Sequence, residues 1–139
     1  MTIKDEGLLS VLAELTALHG TEPMADVAMA WQKVVRKFTP LIGPSSVLLI
    51  LERSLESNRT AFSWLPAGVL PPGPDAAVAR LCDSMKPHPP AEILAAHRAL
   101  LAAFSDLMTT LIGARLTIQF LRAALHVDGV DSPTEENLR

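Results

Sequence analysis

Apolar residues recur at three- and four-residue spacing along most of this chain, the pattern of helices with one buried face. Leu8, Leu9, Val11, Leu12, Leu15 and Leu18 mark a first helix, with Gly20 as its stop. Thr21-Glu22-Pro23 reads as a turn opening a second, which carries Val27, Ala30, Trp31, Val34, Val35 and Phe38. Pro40 and the pair Gly43-Pro44 predict its end, because proline removes a donor and pushes the preceding residue out of helical geometry. A third helix is expected over 44–64. Val47, Leu48, Ile50, Leu51 and Leu55 form its apolar side, and Glu52, Arg53, Glu56 and Arg59 its charged side. Asp75 is placed to cap a short helix ending near Met85, with Val78, Leu81 and Cys82 inward. After Pro87-His88-Pro89-Pro90 a further helix starts near Ala91, carries Ile93, Leu100, Leu101, Phe104 and Met108, and either bends at Gly113 or passes through it. Leu116, Ile118, Phe120, Leu121 and Leu125 define the last helix. No segment alternates with period two, so no strand is predicted.

The pattern also repeats. Thr39-Pro40-Leu41-Ile42-Gly43 returns seventy residues later as Thr109-Thr110-Leu111-Ile112-Gly113. The same shift places Leu51 on Leu121, Leu55 on Leu125 and Asp5 on Asp75. Residues 66–74, rich in proline and glycine, lie midway and read as a stiff linker. The expected organisation is one helical domain over 1–127, with repeat halves 1–65 and 75–127, followed by a flexible acidic tail over 128–139. The fold class is all-α: a compact bundle of five to seven helices, compatible with a pseudo-twofold duplication of a three-helix unit.

Composition narrows the function classes. Hydrophobic residues make up 49% of the chain and charged residues 19%, which leaves few charges to cover an apolar surface. Self-association as a homodimer, or burial against another protein, follows as an expectation. The net charge of −3 gives no support for nucleic-acid binding. The longest apolar stretch is interrupted by Asp106, Arg115, Gln119 and Arg122, so no membrane span is expected. The N-terminal residues lack the apolar core of a signal peptide, and one cysteine cannot form an internal disulfide. Both point to the cytoplasm. Cys82 reads as a small buried apolar residue rather than a reactive thiol, with Asp83 beside it.

Candidate chemistry is sparse. His19, His88, His97 and His126 show no zinc-helix spacing. His97 could in principle ligate haem iron, accept a phosphoryl group or act as a base, but the neighbouring pattern suits an ordinary surface or half-buried histidine. No catalytic residue, metal site or cofactor is assigned. One polar stripe stands out: Arg115, Gln119, Arg122 and His126 fall at offsets of four, three and four, on one helix face. Such a stripe can hold carboxylates or phosphates by forked hydrogen bonds, or be a solvated face. Trp31, Phe62 and Trp64 are candidate interface anchors, with core packing as the competing role.

The stretches Phe38-Thr39-Pro40-Leu41-Ile42-Gly43, Leu51-Glu52-Arg53-Ser54-Leu55 and Ala61-Phe62-Ser63-Trp64-Leu65 resemble small helical proteins of proteobacteria. Leu111-Ile112-Gly113-Ala114-Arg115-Leu116-Thr117, ending in Leu121-Arg122, is similar to the second signature of that group. The resemblance implies a bacterial, cytoplasmic, helical domain associated with signalling modules, and it carries over no catalytic residue. The sequence therefore leads to a non-enzymatic interaction or adaptor domain that self-associates. The alternative is a sensor binding a small acidic ligand between helices through Arg115, Gln119, Arg122 and His126. An enzyme is a third reading, without a motif behind it.

Overall fold

A computed structural model of the chain describes residues 6–17 and 23–125. They form six α-helices: α1 (Glu6–Leu15), α2 (Pro23–Ile42), α3 (Pro44–Asn58), α4 (Pro74–Met85), α5 (Pro90–Ile112) and α6 (Ala114–Leu125). No strand is present among the described residues. The fold is an all-α bundle, and none of these helices is long and apolar enough to cross a membrane. Helices α2, α3, α4 and α5 each begin on proline, where the missing donor has no partner to lose and the fixed φ suits the first turn.

The seventy-residue correspondence extends to the elements. Helices α1 and α4 end at Leu15 and Met85, α2 and α5 at Ile42 and Ile112, and α3 and α6 begin at Pro44 and Ala114. Gly43 and Gly113 join the paired helices in nearly the same conformation, φ 90 and ψ 153 against φ 92 and ψ 156. Each glycine N–H closes the preceding helix on a threonine carbonyl, Thr39 or Thr109, at 2.8 Å. Burial follows the same register. Leu8, Val11, Leu12, Leu15, Val34, Phe38 and Leu51 are buried, and so are Val78, Leu81, Cys82, Met85, Phe104, Met108 and Leu121.

Helices α2 and α5 lie at the centre. The ring pairs Trp31–His97, Trp31–Phe104 and Phe38–Phe104 advance together along both, so the two helices run in the same sense. Both glycine corners therefore fall at one end of the bundle. Helix α3 packs chiefly on α5 and α6 on α2, while α4 covers α2 and α1 covers α6.

Several local expectations are corrected. Helix α2 runs through Pro40 to Ile42, because a proline one turn from the end costs a single ladder bond in an otherwise well-packed helix. Helix α3 stops at Asn58, not near 64. There Asn58 Nδ2 and Ser57 Oγ both donate to the Ser54 carbonyl, at 2.9 and 3.0 Å, and the chain leaves in turns. Helix α4 starts at Pro74, after Gly73 at φ 95, so Asp75 lies in its first turn rather than capping it. Of the two courses open at Gly113, the chain takes the break: Gly113 ends α5, and α6 packs on α2 with Phe120 stacked on Phe38 at 5.5 Å. On α6 the buried face is Thr117, Leu121 and Ala124, and Leu116 is exposed. Leu18, Gly20 and the tail over 128–139 lie outside the described residues.

The linker is held to the bundle. Leu65 and Leu70 are buried, and the Leu70 N–H donates to Glu52 Oε2 at 2.9 Å. Part of the charged face of α3 thus anchors the connection between the halves.

Candidate functional site

The buried polar groups are mostly closed on themselves. Thr16, Ser54 and Thr117 donate to carbonyls four residues back along the chain, at 2.8 to 2.9 Å. His97 on α5 is 1% exposed, a correction to its expected surface or half-buried place. Its Nδ1 accepts from Trp31 Nε1–H at 3.1 Å. Since tryptophan only donates, Nδ1 carries no proton and Nε2 does. Nε2 lies 3.4 Å from the Leu15 carbonyl at the end of α1. The ring is therefore neutral, and burial pushes its pKa down to about 4, with Arg98 adding to the depression and the Leu15 bond opposing it. Both nitrogens are occupied, which leaves neither free to ligate iron, take a phosphoryl group or accept a substrate proton in this arrangement.

Trp31 has no exposed surface. It sits between His97 and Phe104, edge-on to both, so it is a core residue and offers nothing to a partner. Phe62 and Trp64 are half-buried and meet edge to face at 5.9 Å. Trp64 stacks on His88 at 4.0 Å, and His88 Nδ1 lies 2.7 Å from Glu92 Oε1. The pair thus pins the loop after α3 to the start of α5 while keeping part of its surface outside. Cys82 is buried; desolvation first, and Asp83 second, raise its pKa to about 11, against the partly offsetting charge of Lys86.

Of the polar stripe, Arg115, Gln119 and Arg122 come together on α6. With Ala114 and Ile118 they line an open groove of about 630 Å³. His126 lies outside the described residues. Neither arginine forms an ion pair among the described residues. No group of three or more potential metal ligands gathers among those residues either.

Sequence reasoning missed a second surface feature. Leu41 and Leu111, equivalent residues beside the two glycine corners, are 41% and 57% exposed. The repeated Leu-Ile-Gly signature was visible, but a helical period does not say that the penultimate leucine of each helix overhangs the bundle end. Compared with known proteins, the chain matches no family model, no curated protein and no solved structure.

Proposed function

We propose that this chain is a non-enzymatic interaction domain, an adaptor that pairs with a second copy of itself in a bacterial, cytoplasmic signalling or regulatory setting. The observation that carries the reading is the apolar corner end. Leu41 and Leu111 are two of seven large apolar side chains exposed among the described residues, and they stand at equivalent places beside the two glycine corners. An isologous pairing would cover both at once, since each copy would present the same patch. The setting rests on the resemblance of the two signatures, and the lone buried cysteine is compatible with it.

The alternative, a sensor for an acidic small molecule, would use the groove on α6. That groove is lined by one helix alone and stands open, whereas small-ligand sites enclose most of their ligand. An acidic protein surface fits it better.

Sedimentation equilibrium of the full chain tests the reading. A dimer is expected, dissociating to monomer in Leu41→Glu/Leu111→Glu with helical circular dichroism unchanged. A monomer at every accessible concentration would remove self-association from the account.

A further inference from the structure

Of the two described histidines, His97 has both ring nitrogens occupied, whereas His88 keeps one open. His88 lies just before α5, between Pro87 and the pair Pro89-Pro90. Pro89 is the N-cap of that helix. A glutamate three residues on would ordinarily reach back to the N-cap N–H, but proline has none. Glu92 turns to the imidazole instead, its Oε1 2.7 Å from Nδ1. An ionised carboxylate only accepts, so Nδ1 carries the proton, and the lone pair of the neutral ring stands on Nε2. Trp64, stacked on the ring at 4.0 Å and 23°, fixes its plane. Among the described residues, the buried side-chain nitrogens and oxygens without a partner are Ser105 Oγ and Thr109 Oγ1. Nε2 of His88 has no partner there and is not one of these, so it opens to solvent, on a side chain 24% exposed.

We propose that His88 Nε2 is a phosphoryl-accepting site, charged by a donor that carries its phosphoryl group on nitrogen or on a carboxylate. A nucleophilic nitrogen held in one tautomer and one plane by neighbouring side chains is an activated nucleophile. The Nε2 lone pair forms the new N–P bond while the donor's bond to phosphorus breaks. The leaving group keeps that electron pair and takes a proton from water. Glu92 holds Nδ1–H throughout and offsets the positive charge that develops on the ring, as the aspartate does for the histidine of a Ser-His-Asp triad. The three prolines around the ring supply no N–H to cradle the phosphates of a nucleotide, so the donor presents its phosphoryl group unaided.

The test incubates the full chain separately with phosphoramidate, a nitrogen-bound donor, and acetyl phosphate, a carboxylate-bound one. The product is mapped by peptide mass spectrometry at alkaline pH and by phosphorus NMR. Acid-labile phosphohistidine is expected at His88, substituted on Nε2, forming faster than on N-acetylhistidine and absent from His97. Whichever reagent charges it identifies the donor bond. Glu92 is 44% exposed, so Glu92→Gln should keep the helical circular dichroism while slowing the reaction about ten- to a hundredfold. His88→Asn should abolish it. Substitution on Nδ1, a rate no greater than that of N-acetylhistidine, or a rate unchanged in Glu92→Gln overturns the proposal, as does no reaction with either reagent. The site shares nothing with the apolar corner end, so a monomeric chain leaves the proposal standing.

Discussion

Trp31 and His97, 66 positions apart, share a buried hydrogen bond of 3.1 Å that ties α2 to α5. The same imidazole reaches the Leu15 carbonyl at the end of α1, so one ring joins three helices. Trp31→Phe should cost about 1–3 kcal/mol, because it strands a buried acceptor. His97→Val strands the indole donor instead, and at the equivalent place in the first half Val27 is fully buried. The double variant should lose less than the sum of the two, a coupling that urea denaturation of all four proteins would measure.

The depressed pKa of His97 sets a pH dependence. The folded state holds the ring neutral down to about pH 4, whereas the unfolded chain protonates near 6.5. The stabilisation is therefore complete above 6.5 and lost as pH falls towards 4, by about 3 kcal/mol in all. Denaturant midpoints should fall across that window in the native protein. His97→Gln, which cannot titrate, should flatten that part of the curve.

Gly43 and Gly113 both sit at positive φ with ψ near 150, a region essentially closed to other residues. A Cβ at either would meet nothing within 4 Å, so the cost of alanine is conformational rather than steric. Gly43→Ala and Gly113→Ala should each cost about 1–3 kcal/mol, and nearly equal amounts. Very different losses in thermal unfolding would contradict the equivalence of the two corners.

Ser105 Oγ and Thr109 Oγ1 are buried without a hydrogen-bond partner among the described residues. The equivalents differ: Val35 replaces the serine, and Thr39 donates to the Val35 carbonyl at 2.6 Å. Ser105→Ala should leave stability equal or raise it by about 1 kcal/mol, since an unsatisfied hydroxyl disappears at little loss of volume. A fall in the denaturation midpoint beyond error would place an ordered water on that oxygen.

Cys82 should resist alkylation at neutral pH, its thiol being both buried and held near 11. Modification by a thiol reagent should track urea unfolding, and rapid labelling of the native protein would show that α4 opens locally.

Local pattern determined a good deal of this molecule. Proline marked the openings of α2 and α3, spacing drew the inner faces of α2 and α5, and the seventy-residue shift paired Gly113 with Gly43 without deciding whether a helix ends there. It also put Arg115, Gln119 and Arg122 on one face, since helical geometry converts spacing into direction without reference to a neighbour. Tertiary structure decided which surface each face meets. Trp31 went inside because Phe104 and His97 arrive there from α5, and His97 became a closed hydrogen-bonding hub only once Trp31 and Leu15 flanked it. Thr117 is buried and Leu116 exposed because α6 turns back onto α2 at Gly113, a rotation fixed by packing. Burial of a polar group depends on partners far off in sequence, and a periodicity read along one helix holds no information about them.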